Sequence, residues 1–238
     1  MTLVTDFDLA GVPGVPETTL PADLVAGLPD NLAPAPWSVR GSAVVWMGRP
    51  GSAALTALPE ALRETHKPVA VVGGFVRYSN TPVGTYDEVF GIVTSRGPGG
   101  RKDIVNTVAF MAVDSPTSLV GGRTNWSMPK TLATFDGAPE TAMSATSATD
   151  RAWTVKTRAR ALPIGISRSM AAAVRQAFPD SSLGDTTMDS HVKMRPALIS
   201  VSIESDGPLA QWLRPGLHSG MVLSNVRMDF TPAQNSAN

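Results

Sequence analysis

Glycine and proline interrupt this chain at short intervals, and their spacing limits the length of any helix or strand. The sequence holds 21 glycines and 20 prolines among 238 residues. Proline blocks helix interiors and central strands, and glycine weakens both, so the segments between them favour short extended elements. The stretch Arg151–Leu162 shows the strand pattern most clearly, because Trp153 and Val155 alternate with Lys156 and Arg158. We therefore expect a chain rich in β-strands.

Strands and two helices are predicted along the chain. One helix is expected within Leu55–Thr65, starting late because Pro59 suits a first turn, and the other over Ser169–Phe178, where alanine favours helix. Asp114–Pro116 is read as an isolated turn, and Asp136-Gly137 as a turn between two strands. The predicted strands are Ser42–Met47, Val69–Tyr78, Thr85–Thr94, Ile104–Val113, Leu132–Phe135, Thr141–Thr146, Arg151–Leu162, His191–Ile203 and Gly220–Phe230.

The chain is expected to form one β-rich α+β domain flanked by two less regular ends. Residues 9–37 hold six prolines, so residues 1–40 are predicted to form an N-terminal arm lying over the core or over a neighbouring subunit. Residues 41–230 are the single domain, a curved antiparallel sheet or barrel with a few short helices. Residues 231–238 are predicted to be a flexible polar tail.

Composition excludes several classes of function. Twenty basic and 20 acidic residues balance, and aromatic residues are only 6%, which argues against nucleic-acid binding. The absence of cysteine excludes disulfides and thiolate sites, and His66, His191 and His218 lack metal-ligand spacing, so neither a metal nor a cofactor is predicted. No apolar run reaches membrane-spanning length, and the acidic start differs from a signal peptide, so we expect the cytoplasm.

The segment Gly121–Lys130 carries the most promising chemistry. Lys130 directly follows Pro129 and has apolar neighbours, whereas Ser127 and Lys130 lack the helical context of a serine nucleophile with a lysine base. Only a neutral amine attacks a carbonyl, and an ordinary lysine is about one part in two thousand neutral at pH 7. Burial or a nearby cation would favour the neutral form. From the residues alone, Lys130 is either such a nucleophile or a solvated lysine at a strand start.

Two ordered motifs resemble the acetoacetate decarboxylase family. Gly122-Arg123, five residues, then Pro129-Lys130 is similar to that family's Schiff-base lysine segment, and Gly84-Thr85-Tyr86-Asp87-Glu88 is similar to its Gly-x-Tyr-x-Glu strand. The resemblance covers about residues 42–230 and implies the acetoacetate decarboxylase-like fold. It also implies that Lys130 is the Schiff-base nucleophile, and that Glu88 is a proton donor or acceptor or orients the substrate.

Four further residues are candidates for substrate binding. Tyr86 lies two positions before Glu88 and shares its strand face. Arg123 could bind a carboxylate or could instead donate to backbone carbonyls beside the glycine pair. Trp126 and Met128 offer apolar surroundings for Lys130.

The chain also departs from the family pattern. The family's second lysine is Thr131, the glutamate after its Gly-Arg is Thr124, and an acid of the preceding strand falls near Gly73-Gly74. Its early arginine has no clear counterpart, with Arg49 and Arg77 as possible substitutes. Without an adjacent lysine, desolvation is expected to be the main cause of Lys130 activation.

Three functions remain open on these residues. The first is a lyase that decarboxylates a β-keto acid through a lysine Schiff base. The second is a biosynthetic enzyme that uses the same imine for aldol, dehydration or cyclisation chemistry. The third is a non-catalytic barrel that binds small molecules. The predicted partners are a carbonyl or keto-acid substrate and further copies of the same chain, as in a homo-oligomer.

Overall fold

One curved sheet organises the protein. The computed structural model describes residues 7–235 and, within them, contains eleven strands and four α-helices, in agreement with the predicted β-rich α+β fold. The strands are β1 Trp37–Gly48, β2 Lys67–Asn80, β3 Tyr86–Arg96, β4 Ile104–Val113, β5 Lys130–Ala138, β6 Ala142–Ser147, β7 Trp153–Ala161, β8 Ile166–Ala177, β9 Leu183–Ser205, β10 Gly216–Phe230 and β11 Gln234–Asn235. The helices are α1 Ala22–Ala26, α2 Glu60–Arg63, α3 Pro116–Trp126 and α4 Leu209–Trp212, with 3-10 turns at Pro16–Thr18 and Gly100–Lys102.

The strand order is β10-β1-β2-β3-β4-β5-β6-β7-β9-β11, and β8 pairs with β9. β10 contacts both β1 and β9, so hydrogen bonding also links the two arms of that order. Neighbours are antiparallel except β4 and β5, which run parallel, with Met111 opposite Lys130. Parallel neighbours need a crossover connection, and α3 supplies it on one face of the sheet.

Apolar side chains cover both faces of the sheet. One buried cluster includes Trp46, Phe75, Phe110 and Trp212, and the other includes Trp126. Burial of one such side chain stabilises the folded state by about 1.5–3 kcal/mol. The second cluster, which also holds Trp37, Val76, Tyr78, Tyr86, Val108, Met111 and Met128, contains the predicted site residues and lies where α3 packs.

The predicted helix over Ser169–Phe178 is wrong. All of these residues except Phe178 belong to β8, which pairs with β9 from Ile166 opposite Met194 to Ala177 opposite Leu183. The helix preference of alanine amounts to only a few tenths of a kcal/mol per residue. A long antiparallel ladder closed by a tight turn outweighs that preference.

The sequence predicts an isolated turn at Asp114–Pro116, but helix α3 begins there at Pro116. Ser115 caps it by accepting a hydrogen bond from the Ser118 amide, and Pro116 occupies its first turn, a favoured position for proline. The turn predicted at Asp136-Gly137 is also misplaced, because β5 continues to Ala138 and turns only before Ala142. The helix predicted within Leu55–Thr65 is shorter than expected, four residues beginning after Pro59.

Described residues of both terminal segments contact the sheet. The sheet begins at Trp37, inside the range given to the arm, and Val15 of the arm donates a backbone hydrogen bond to Ala109. Gln234–Asn235 of the predicted flexible tail pairs with β9. Residues 1–6 and 236–238 lie outside the described part of the chain. Within residues 7–235, no helix combines the length and apolar character needed to cross a membrane.

Candidate active site

The turn after α3 presents Lys130 to the interior. Ser127 ends the helix in the left-handed conformation, and its amide donates to the Arg123 carbonyl while the Met128 amide donates to Gly122. Such paired bonds satisfy the last free carbonyls of a helix. The Ser127 hydroxyl donates to the Ala177 carbonyl, which ties the turn to β8. These hydrogen bonds fix the turn, and Lys130 follows it as the first residue of β5.

The Lys130 ammonium is buried and makes two hydrogen bonds. Its Nζ donates to Glu88 Oε2 and to Ser118 Oγ, each at 2.9 Å. Lys130 is 3% exposed and Glu88 is also 3% exposed, so water does not solvate the pair. Three elements meet at this amine, because Glu88 lies on β3, Ser118 on α3 and Lys130 on β5. The structure thus brings together the two residues predicted to be catalytic.

Two tyrosines complete the polar end of the site. The Tyr78 hydroxyl donates to Glu88 Oε1 at 3.2 Å, so each carboxylate oxygen of Glu88 has its own donor. Lys130 Nζ lies 5.0 Å from the centre of the Tyr86 ring, within the range of a cation–π contact. Tyr86 and Glu88 share one face of β3, as predicted. Asp87 points to the other face, where it accepts two hydrogen bonds from Arg77.

The pKa of Lys130 does not follow the expectation that burial would favour the neutral amine. Burial pushes the pKa of Lys130 down, but the charge of Glu88 and the contacts with Glu88 and Tyr86 outweigh it, so the pKa of Lys130 is raised. Burial also raises the pKa of Tyr86 to about 12. Before any substrate arrives, Lys130 therefore favours its ammonium form at neutral pH.

The glycine pair Gly121-Gly122 has a steric role on both of its sides. A Cβ at Gly122 would lie 2.5 Å from Cδ and from Cε of Lys130, and one at Gly121 would lie 2.6 Å from the Trp37 ring. Contacts under 3.0 Å are not tolerated between such atoms without a shift. Helix α3 can therefore pack this closely against the lysine side chain only because residue 122 lacks a side chain.

Arg123 points away from Lys130 Nζ. Its guanidinium donates to the backbone carbonyls of Lys130, Leu9 and Thr18 at 2.7, 2.5 and 2.6 Å, and the residue is 1% exposed. Burial lowers the pKa of Arg123 to about 9, while the charge of Asp8 opposes the shift. Two of these bonds go to the N-terminal arm and one goes to the start of β5, so Arg123 links the two segments. In this structure Arg123 therefore has the second of its two expected roles, donation to backbone carbonyls.

An apolar cavity of about 150 Å³ lies against the Lys130–Glu88 pair. We call it the lysine pocket. Trp126 and Met128, both predicted to bind substrate, lie in its wall, and the Trp126 indole donates to the Thr231 carbonyl. Its lining consists of Trp37, Val76, Tyr78, Tyr86, Glu88, Phe90, Ile92, Val108, Met111, Trp126, Met128, Lys130, Val174, Met188, Met228 and Phe230. Lys130 and Glu88 are thus the two charged side chains of this lining.

The positions that depart from the family pattern leave the lysine pocket without additional charges. Thr131 follows Lys130 on the strand and is fully buried on the opposite side. A Cβ at Gly74, in the region of the expected second acid, would lie 2.5 Å from the Phe90 ring. Arg49 is exposed, and Arg77 pairs with Asp87, so neither arginine lines the pocket.

Sequence reasoning missed Ser118 and Tyr78. A signal for Ser118 existed, because Ser115-Pro116 is a typical helix start, and a helix there places residue 118 in the first turn, facing the next strand. Tyr78 had a weaker signal. Its strand pairs with β3 and sets Tyr78 opposite Tyr86, with ring centres 4.6 Å apart, but strand register could not be read from the sequence.

The fold and the site together define a β-rich protein with a lysine–carboxylate pair buried at one end of an apolar pocket. The family model of acetoacetate decarboxylase matches residues 26–158, more than half of the chain. The protein therefore belongs to the acetoacetate decarboxylase family. A search of curated protein sequences finds no significant match.

Solved structures agree with this assignment at the level of the fold. The acetoacetate decarboxylase from Legionella pneumophila is similar with a TM-score of 0.62 and 14% identity, covering 100% of this chain and 98% of that one. The enduracididine biosynthesis enzyme MppR, complexed with the condensation product of pyruvate and imidazole 4-carboxaldehyde, is similar with a TM-score of 0.60 and 15% identity, over 88% of this chain and 92% of that one. An acetoacetate decarboxylase-like enzyme from Sphingomonas wittichii has a TM-score of 0.54 and 14% identity, over 89% and 96%.

Proposed function

We propose that the protein is an enzyme that binds a small carbonyl compound as a Schiff base on Lys130, and that it acts as a lyase on β-keto acids. The observation that carries the proposal is the buried Lys130 Nζ, 2.9 Å from Glu88 Oε2 at the polar end of the lysine pocket. Solvated lysines vastly outnumber buried ones in proteins. A lysine held without solvent beside a proton acceptor and an apolar cavity suits imine chemistry.

Glu88 supplies the route to a neutral amine. Although the pKa of Lys130 is raised, the ammonium proton already points at Glu88 Oε2. Its transfer to the carboxylate replaces two buried charges with two neutral groups and needs no water. The apolar surroundings favour neutral groups over separated ions. The neutral amine of Lys130 can then attack a carbonyl compound and form the Schiff base.

The proposed decarboxylation then balances in four steps. Neutral Lys130 Nζ forms a bond to the keto carbon, and the keto oxygen leaves as water after taking one proton from Nζ and one from Glu88, giving an iminium cation. The bond to the carboxylate carbon breaks, CO₂ leaves, and the electron pairs shift to give an enamine with a neutral nitrogen. Glu88 takes up a proton from solvent and passes it to the enamine carbon. Water then hydrolyses the iminium and releases the ketone and the free lysine.

A second candidate uses the same imine without loss of CO₂. In an aldol or dehydration reaction the enamine carbon would attack a second carbonyl compound, and Glu88 would move the protons. The lack of a second cation in the pocket lining favours this candidate, because a carboxylate there would have only Lys130 as a counter-ion. The condensation product bound to the structurally similar MppR also supports it.

Reductive trapping tests the proposed function. Cyanoborohydride reduces an iminium to a stable amine, so incubation with a β-keto acid should add the mass of the product ketone less its oxygen atom to the protein. Lys130→Met should abolish the adduct and the turnover while the protein stays folded. Release of CO₂ from the β-keto acid separates the lyase from the aldol-type enzyme. If no adduct forms with any carbonyl compound, both enzymatic functions are contradicted, and a binding protein with an inert lysine remains.

We also propose that the protein works as a homo-oligomer. The first eight residues of β8, Ile166–Ala173, are exposed along both faces of the strand, and Ile166 and Met170 are 50% and 43% exposed. Exposed apolar residues on an edge strand favour contact with another chain. Light scattering during gel filtration should give a mass that is a multiple of 24.9 kDa, and a monomer would contradict the proposal.

A further inference from the structure

The distribution of polar atoms in the lysine pocket says which kind of substrate fits it. We infer that the substrate carries an uncharged, apolar group attached to its reactive carbonyl and that the carbonyl and this group together contain about six carbon atoms. This inference rests on the proposed function, because Lys130 must bind the carbonyl. It adds the substrate class, which the family assignment leaves open.

Polar groups gather at one end of the pocket. Glu88, Tyr78 and Tyr86 surround Lys130 Nζ, and Glu88 takes hydrogen bonds from both Lys130 and Tyr78. Every other residue of the lining is aliphatic, aromatic or methionine. A carbonyl carbon bonded to Nζ therefore places its oxygen among polar groups and its substituent against an apolar wall.

Among residues 7–235, the apolar wall contains no partner for a second charge. The two arginines considered above as partners for a substrate carboxylate have other contacts, since Arg77 pairs with Asp87 and Arg123 donates to three backbone carbonyls. An anionic substituent would lose its hydration and gain no counter-ion, which strongly disfavours binding. A β-keto acid remains compatible with the pocket, because its carboxylate lies beside the iminium and departs as CO₂. The substituent on the other side of the keto carbon is the one that must be apolar.

The wall combines rigid aromatic and flexible methionine side chains. Trp126 packs edge-on against Trp37 with ring centres 5.0 Å apart and lies 5.5 Å from Phe230. The four methionines of the wall are Met111, Met128, Met188 and Met228. Methionine adapts its shape to an apolar ligand and makes favourable contacts with aromatic rings. An alkyl chain or a phenyl ring would therefore find a fitting surface.

The size of the pocket sets the length of the substituent. A dry apolar cavity of about 150 Å³ accommodates benzene, and the lysine pocket has a volume of about 150 Å³. A compound the size of acetone would leave much of the pocket empty, so part of the apolar contact would be lost. Compounds well beyond six carbons would have to displace side chains.

A series of methyl ketones tests the inference on the wild-type protein. Acetone, 2-butanone, 2-pentanone and 2-hexanone are each titrated in the presence of cyanoborohydride, and the half-saturating concentration for the Lys130 adduct is measured. Each buried methylene should lower that concentration by roughly threefold, so the half-saturating concentration of 2-hexanone should be at least about 20-fold lower than that of acetone. The anion 4-oxopentanoate is similar in length to 2-hexanone, and its half-saturating concentration should be at least about 30-fold higher than that of 2-hexanone.

A pair of methionine variants locates the effect in the wall. Met188 lines the pocket and is half-buried, whereas Met47 on β1 is 51% exposed and lies outside the lining. Met188→Lys should weaken the trapping of 2-hexanone and strengthen that of 4-oxopentanoate, each by at least about tenfold, because a lysine can reach into the pocket and neutralise the anion. Met47→Lys should leave the trapping of both compounds unchanged. If Met188→Lys does not fold, the ketone series still decides.

The outcomes separate the two proposals. Adducts that form at Lys130 with equal half-saturation across the series, or as readily with 4-oxopentanoate, leave the Schiff-base function standing and overturn the apolar substrate. No adduct with any of these compounds overturns the Schiff-base function, and the substrate class with it. Both proposals are supported if the half-saturating concentration falls as the ketone lengthens and if Met188→Lys reverses the preference for 2-hexanone over 4-oxopentanoate.

Discussion

The Lys130 amine and the Glu88 carboxylate form a buried ion pair that reaches across strand β4. Lys130 on β5 lies opposite Met111, and Glu88 on β3 lies opposite Val113, so two residues 42 positions apart meet above one intervening strand. The parallel pairing of β4 and β5, which α3 makes possible, sets this register. The chemistry of the site therefore depends on the one crossover helix of the described sheet as much as on the two residues themselves.

Glu88→Gln should move the titration of Lys130. The substitution removes the charge that raises the lysine pKa and leaves burial, which lowers it, so the pKa of Lys130 should fall. The pH at which reductive trapping reaches half its maximum rate should therefore be lower in Glu88→Gln than in the wild type. Turnover should fall by roughly 10²–10⁴, because the proton carrier is lost. Asp87→Asn, on the opposite strand face, is the control, and an unchanged profile in Glu88→Gln would contradict the role of the pair.

Gly122→Ala should displace the lysine from its partners. The new methyl group would lie 2.5 Å from Lys130 Cδ and Cε, so the side chain must move away from Glu88 and Ser118. Overpacking should lower the free energy of unfolding by about 1–3 kcal/mol, and trapping of acetone at Lys130 should slow by at least about tenfold. Gly121→Ala crowds Trp37 instead. It should lose similar stability but keep the rate of acetone trapping, and equal trapping losses in both variants would argue against a specific role for Gly122.

Arg123→Met should destabilise the protein. Three backbone carbonyls, of Lys130, Leu9 and Thr18, lose their donor at a buried position. Each unsatisfied buried group costs about 1–3 kcal/mol, so urea denaturation should show a loss of at least about 3 kcal/mol in the free energy of unfolding. Arg77→Met serves as the comparison, since the Arg77 side chain is 44% exposed and its surface pair contributes about 1 kcal/mol or less. Equal losses in the two variants would show that the arm does not depend on Arg123.

Tyr86→Phe should reduce the decrease in the free energy of unfolding at alkaline pH. Burial raises the pKa of Tyr86 to about 12 in the folded protein, above the ordinary value of 10.0. Between these two values the folded state holds a proton that the unfolded state releases, so stability is full below pH 10 and falls as the pH rises towards 12. From pH 9 to 11.5 the wild type should lose about 2 kcal/mol more than Tyr86→Phe. Parallel losses would contradict the buried, protonated tyrosine.

Much of the sheet could be predicted because alternation survives in the sequence. In β7, Trp153, Val155 and Thr157 are buried while Lys156 and Arg158 are exposed, as the pattern indicates. The motif Gly-x-Tyr-x-Glu likewise places Tyr86 and Glu88 on one face, and both line the lysine pocket. Local patterns carry this information because side-chain direction along a strand depends only on position.

The missed elements depend on contacts between distant segments. Residues Ile166–Ala173 are exposed on both faces, so β8 shows no alternation and its alanines resemble a helix. Helix α3 contains Gly121 and Gly122, which weaken helix propensity but permit close packing on Trp37 and Lys130. The direction of the Lys130 pKa shift was also beyond sequence reasoning, because it depends on a 2.9 Å distance to Glu88 across the sheet.

Mapping the trapped amine tests the central claim most directly. The chain contains five lysines, and Lys67, Lys102, Lys156 and Lys193 are exposed, whereas Lys130 is buried beside Glu88. After brief incubation with 2-hexanone and cyanoborohydride, peptide mass spectrometry should find the adduct on Lys130 at least about ten times faster than on any exposed lysine, because only Lys130 combines a proton acceptor with an apolar cavity. Adducts confined to the four exposed lysines, with Lys130 unmodified, would contradict the account.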